Sequence, residues 1–205
     1  MNRNTSERNA PIVLPDMTIG LLGGSFDPPH AGHVHITRWA LKAFGFDAIW
    51  WLVSPGNPLK PSAPADIARR IAAAESLMVH PRVHVSDFEA RQGTRYTAET
   101  LAALSSRYPG VRFTWLMGAD NLRSFHRWED WAQILSRFPV GVLARPGEQV
   151  AAGLSPAARR FARFRLPPQA ARCLARAEPP VWTLLPGPML NLSSTALRKR
   201  GGWSR

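Results

Sequence analysis

The stretch Leu21-Leu22-Gly23-Gly24-Ser25-Phe26-Asp27-Pro28-Pro29-His30-Ala31-Gly32-His33 constrains this chain more than any other. The apolar run from Ile19 to Leu22 predicts a buried strand, and two glycines end it at once. Gly23 and Gly24 permit tight turning and close backbone approach, which a loop needs if its amide groups are to touch a phosphate. Pro28 and Pro29 hold the following residues extended, and from about Gly32 the spacing of Val34, Ile36, Trp39, Ala40 and Ala43 predicts a helix. His33 then sits in that helix's first turn, where it joins His30 and the free N–H groups of the helix start around the point the glycine loop faces. A pair of surface histidines is one competing reading and leaves the flanking Gly-Gly and Phe-Asp-Pro unexplained; the other is a zinc site at the same His-x-x-His spacing. It lacks ligands, because His35 falls on another helix face and the lone Cys173 is remote in sequence.

A chain of 205 residues with 45% hydrophobic content suffices for one well-buried α/β domain and is short for two. We read residues 1–17 as a disordered tail and 18–205 as the domain. The tail's apolar run, residues 12–14, is too short for a signal peptide or a membrane span, and one cysteine fits a reducing cytoplasm. The formal charge of +12 is uneven: residues 155–205 hold ten Lys and Arg against Glu178, a net +9. Such basicity attracts polyanions, whether nucleic acids or nucleotides, and charge alone does not choose between them.

Strands and helices alternate along the rest of the chain. Gly45 stops the first helix, residues 48–53 read as a strand buried on both faces, and the proline-rich loop over 54–64 carries Lys60. Loops after strand ends bind ligands in open α/β sheets, so Lys60 either reaches the mouth of a site or is a solvated surface charge. An alanine-rich helix over 66–80 and a short strand at 83–86 follow. Thr97 is placed to cap the next helix with Glu99 in its first turn, and 111–117 is another strand. Asp120, just past that strand, either accepts ribose hydroxyls or caps the helix through Phe125, and the two roles are compatible. Trp128 and Trp131 lie three apart on an expected helix, 140–144 is a strand, and Leu154, Ala158, Phe161 and Phe164 predict one amphipathic helix within 154–178. A last strand at 181–185 leads to Leu192-Ser193-Ser194-Thr195-Ala196-Leu197-Arg198. Hydroxyls at a helix start with an arginine one turn later suit a triphosphate.

The pattern G-x-F-D-P-x-H-x-G-H, carried by Gly24, Phe26, Asp27, Pro28, His30, Gly32 and His33, resembles the signature of nucleotidyltransferases that move an adenylyl group from ATP. The Ser193-Ser194-Thr195 to Arg198 run is similar to the same family's I-S-S-T-x-I-R motif, with Leu for Ile at two positions. Y-T-x-x-T-L from Tyr96 and the G-x-D and W-x-x-W elements at Asp120 and Trp128 resemble the nicotinate mononucleotide adenylyltransferase branch. The resemblance spans roughly residues 18–200 by its motif positions. It departs at the end, where Trp203 stands in for a further apolar segment.

What the resemblance implies is a single Rossmann-like, doubly wound, mostly parallel sheet flanked by helices. Its implied reaction transfers AMP from ATP to nicotinate mononucleotide, giving nicotinate adenine dinucleotide and pyrophosphate, with Mg²⁺ arriving on ATP. ATP would meet Gly23, Gly24, Ser25, Phe26, His30, His33, Asp120, Ser193, Ser194, Thr195 and Arg198, of which His30, His33 and Arg198 are catalytic. The mononucleotide would meet Lys60, Tyr96, Thr97 and Trp128, the last by ring stacking. No membrane or nucleic-acid partner is expected. Three rivals are a sister enzyme using phosphopantetheine or nicotinamide mononucleotide, an arginine-rich RNA-binding protein, and a fragment resembling class I aminoacyl-tRNA synthetases. The last lacks the lysine-rich second motif of that class.

Overall fold

The computed structural model describes residues 11–56, 63–144, 149–187, 194–199, 201 and 203. Seven strands form one sheet in the order β3-β2-β1-β4-β5-β7-β6, where β1 is Thr18–Gly24, β2 Ala48–Val53, β3 Val83–Ser86, β4 Arg112–Gly118, β5 Val140–Ala144, β6 Arg165–Leu166 and β7 Trp182–Pro186. Every pairing is parallel. Continuous apolar runs such as Ala48–Val53 form strands here because each must bury both faces. Alternate residues therefore feed two cores. Ile19, Leu21, Trp50, Leu52, Trp115, Met117 and Val142 join one, and Leu22, Ile49, Trp51, Val53, Leu116 and Leu143 join the other.

Helices α1 (Ala31–Phe44) and α2 (Ile67–Leu77) cover the second face together with a 3-10 helix, Pro168–Arg176. The first face carries α3 (Phe88–Gln92), α4 (Thr97–Arg107), α5 (Ala119–Ser124), α6 (Trp131–Arg137), α7 (Gln149–Gly153) and α8 (Pro156–Arg160). A last helix, α9 (Ser194–Lys199), follows β7. The chain runs from β1 outward to β3, then returns to β4 on the other side of β1. This reversal opens a crevice beyond the ends of β1 and β4, the place where such sheets take ligands.

Four local expectations are corrected. The first strand runs through the glycine pair rather than stopping before it, with Gly24 its last residue, and the positive φ of 45° falls on Phe26. Gly23 is required for space rather than for a turn, since a Cβ there would lie 2.3 Å from Cη2 of the buried Trp115. Residues 154–178 are not one amphipathic helix. They break into α8, a 3-10 turn at Ala162–Phe164, β6 and the longer 3-10 helix, because Pro167 and Pro168 cannot continue helical hydrogen bonding and Arg165–Leu166 finds an open edge at β7. Trp128 is not helical: it is extended, between a 3-10 turn at Phe125–Arg127 and α6. The caps expected at Thr97 and Asp120 are also displaced, as described with the site. The expected tail lies outside the described residues over 1–10, while the Asp16 N–H bonds the Gly110 carbonyl at 2.9 Å. Among the described residues no helix is long and apolar enough to cross a membrane.

Candidate active site

His30 is the N-cap of α1 in extended conformation, and its Nδ1 accepts the Gly32 N–H at 3.1 Å. His33 reciprocates, its Nδ1 accepting the His30 N–H at 3.1 Å. These two helix-start donors, expected to await a ligand, are thus occupied by the imidazoles. With Nδ1 accepting, each neutral ring carries its proton on Nε2 as a donor. The rings lie 3.9 Å apart, and His33 also packs 4.7 Å from Phe26, which stacks on Trp51 at 4.8 Å. Trp51 Nε1 donates to Thr37 Oγ1 at 2.7 Å, and that hydroxyl donates to the His33 carbonyl at 2.8 Å. His33 is therefore held by the loop after β1, by β2 and by its own helix. No acid sits in the first turn of α1, so the positive end of its dipole is not cancelled there. His35 has a buried Nε2 without a partner among the described residues.

The two ends of the chain meet at Asp27. Ser194 Oγ donates to the Pro28 carbonyl at 2.9 Å, and Arg198 Nη1 donates to the Asp27 carbonyl and lies 3.6 Å from Oδ2 of its carboxylate. Trp203 Nε1 donates to Asp27 Oδ1 at 2.7 Å, while the Arg69 guanidinium lies 4.2 Å over its ring. The carboxylate also accepts the Ala65 N–H at 3.3 Å and is 1% exposed. Asp27 is thus the internal joint of the two motifs, with Ser194 and Arg198 docked on the residues just before His30. Lys60, Ser193 and the side chain of Thr195 lie outside the described residues.

Asp120 is exposed in the first turn of α5, whose N-cap is Gly118 rather than Asp120. The reason is steric: a Cβ at residue 118 would sit 2.3 Å from Asp120 Oδ1, so a glycine at the strand end leaves room for the aspartate to fold back. Asp120 accordingly flanks the crevice from β4 while Ser25 and Phe26 flank it from β1. On the same side of the sheet Tyr96 is the N-cap residue of α4, and Thr97 is its first helical residue. The capping falls to Glu99, whose Oε2 accepts the N–H groups of Arg95 and Tyr96 at 2.9 and 3.2 Å. Those two bonds hold its carboxyl below the ordinary value. The remaining donors at this helix start are the first-turn N–H groups of Thr97 and Ala98. Trp128, half-buried, stands edge-on to Phe125 at 5.2 Å and Trp115 at 6.3 Å, and Glu129 is exposed.

Sequence reading missed two residues. Trp115 is 2% exposed, fills the space above Gly23 and supports Trp128, so it joins the Gly23 side of the crevice to the Trp128 side. Arg70 is 1% exposed and donates to three carbonyls at 2.7 Å, those of Ser25, Ser54 and Ala65. Their only sequence signals were a strand tryptophan and an arginine in an alanine-rich helix, which solvated or core roles explain equally well. The Trp115 contact makes a prediction. Gly23→Ala overpacks a buried ring and lowers stability by about 1–3 kcal/mol in thermal melts, and adding Trp115→Phe restores part of it. A Gly23→Ala melt equal to the native one would refute the steric account.

The cytidylyltransferase-like family model matches residues 21–200. A Ruegeria pomeroyi protein named "Probable nicotinate-nucleotide adenylyltransferase" is 59% identical over 194 residues, covering 95% of this chain and 91% of that protein. A Cereibacter sphaeroides protein of the same name is 63% identical over 187 residues, covering 91% and 99%. Among solved structures, Plasmodium falciparum nicotinic acid mononucleotide adenylyltransferase complexed with NaAD superposes with a TM-score of 0.67 at 16% identity, over 89% of this chain and 83% of that one, which shows a common fold. The parallel sheet, the paired histidines at its switch point and these identities place the chain in one family: it belongs to the nicotinate-nucleotide adenylyltransferases of the cytidylyltransferase-like group.

Proposed function

We propose that this chain transfers AMP from ATP to nicotinate mononucleotide, forming nicotinate adenine dinucleotide and pyrophosphate in NAD biosynthesis. The observation that supports the reading is the docking of Ser194 and Arg198 onto Pro28 and Asp27, which brings residues from opposite ends of the chain together just before His30. A cytoplasmic location agrees with the single cysteine, Cys173.

The chemistry asks little covalent work of the protein. An oxygen of the mononucleotide phosphate attacks the α-phosphorus of ATP, a new P–O bond forms, and the α–β bridge breaks with its electron pair leaving on pyrophosphate. The nucleophile is already anionic and needs no general base. The barrier lies in bringing two anions together in line, so alignment and preorganised donors supply the catalysis. Nε2–H of His33 is assigned to the transferred phosphoryl group and that of His30 to the phosphates beside it. Arg198 with Ser193, Ser194 and Thr195 is assigned to the departing pyrophosphate. Asp120 is assigned to the ATP ribose, and Gly23, Gly24, Ser25 and Phe26 to the floor under the phosphates. Mg²⁺ is taken to enter with its substrate, as MgATP. Lys60 and Tyr96 are assigned to binding the acceptor.

The pyridine is assigned to Trp128, with its carboxylate toward the helix start at Thr97. Nicotinamide would present an NH₂ to N–H donors and leave it unpaired, costing about 1–3 kcal/mol. The acid is therefore expected to exceed the amide in kcat/KM by roughly tenfold or more. Trp128→Ala is expected to raise the acceptor KM and leave that of ATP nearly unchanged. Pyrophosphate release assayed with ATP and each mononucleotide tests the whole reading. No release with nicotinate, nicotinamide or phosphopantetheine acceptors removes the enzyme; equal rates for acid and amide remove the nicotinate assignment.

A further inference from the structure

Arg70 is a buried cation that spends its donors on main-chain carbonyls. Nη1 serves both the Ser25 and the Ser54 carbonyls at 2.7 Å, Nε the Ala65 carbonyl at 2.7 Å, and Nη2 approaches that of Pro55 at 3.5 Å. Ser25 and Ser54 are the first residues beyond β1 and β2, and Ala65 precedes the Asp66 cap of α2. One side chain thus ties the phosphate loop to the next loop along the sheet edge. The Ala65 N–H on Asp27 Oδ1 closes the same assembly from the other side.

The Ser25–Phe26 peptide is planar and trans, so its C=O and N–H point in opposite directions. Its carbonyl is drawn inward by Arg70, which turns the Phe26 N–H outward. That N–H meets no acceptor among the described residues. Phe26 holds a positive φ of 45° while its ring is locked between Trp51 and His33, so the peptide's orientation is set from both ends. We propose that Arg70 is a positioning residue for adenylyl transfer: by holding the Ser25 carbonyl it keeps the Phe26 N–H aimed at the phosphates beside His33. This rests on the reading of the crevice as the ATP site.

The test is steady-state kinetics and thermal melting of Arg70→Met and Arg70→Lys beside the native enzyme, with the Phe26 amide followed by ¹⁵N NMR as ATP is added. Arg70→Met is expected to lower kcat about 10²-fold, as for loss of one preorganised donor, with the acceptor KM little changed. Arg70→Lys is expected to recover to within about tenfold of native, since one Nζ can still bridge the two carbonyls that Nη1 serves. The Phe26 amide resonance should shift with ATP in the native protein and not in Arg70→Met. A folded Arg70→Met variant with native kcat overturns the proposal, as does a Phe26 amide that ATP leaves unmoved in an enzyme that turns over. If Arg70→Met does not fold, Arg70→Lys decides through the amide: kcat and the ATP-induced Phe26 shift kept or lost together support positioning, and either one lost without the other overturns it. Absence of native turnover would instead defeat the adenylyltransferase reading.

Discussion

His33→Ala is expected to lower kcat by about 10²- to 10³-fold, the scale for removing one preorganised donor, while the KM for ATP changes far less. The size follows from how firmly the ring is held. Its Nδ1 is fixed on the His30 N–H, its faces meet Phe26 and His30, and its own carbonyl is tied through Thr37 to Trp51. Such a donor needs no reorganisation as charge shifts onto the leaving oxygens. Alanine also removes a helix-capping acceptor, but that costs about 1 kcal/mol of stability and appears in the melting temperature rather than in kcat. His35→Ala is the control, because two residues on from His33 its side chain leaves α1 on another face. A raised KM at near-native kcat would show that His33 only binds substrate.

Raising the pH from 5 to 8 is expected to weaken the fold through Glu89, and Glu89→Gln is expected to remove that slope. Glu89 lies in the first turn of α3 and is 8% exposed, and burial pushes its carboxyl from an ordinary 4.5 up to about 7. Below about pH 4.5 folded and unfolded chains both hold the proton and nothing is lost. Between the two values the unfolded chain releases it while the folded chain keeps it, so stability falls as pH rises. Above pH 7 the full penalty is present, about 3 kcal/mol at 1.36 kcal/mol per pKa unit. Urea unfolding of both proteins at pH 5 and 8 measures it. The same pH slope in native protein and Glu89→Gln would show that burial does not perturb this carboxyl.

How far the chain could be read in advance depended on the range of the interactions involved. Strands at 48–53 and 140–144 matched their observed bounds because doubly buried parallel strands are written as unbroken apolar runs. His30 and His33 were legible for a related reason: a strand end, a proline pair and a helix start lie within a few residues and act locally. Thr97 and Asp120 were misplaced as caps, because Glu99 reaches back to the chain before α4 and Gly118 yields its place to a folded-back carboxylate. The region 154–178 misled because helical spacing of Phe161 and Phe164 says nothing of an open strand edge at β7.

The sequence by itself determined the alternating α/β plan and the family, since each is carried by contiguous residues whose spacing has a local physical meaning. Only the tertiary structure decided what Asp27, Arg70 and Trp115 do. Asp27 gathers Ala65, Arg198 and Trp203 across separations of 38 to 176 residues, and Arg70 reaches Ser25 across 45. A buried charge or indole takes its partners from wherever the fold brings carbonyls, N–H groups and bare glycine backbone within 3 to 4 Å of it. No pattern along the chain records that encounter.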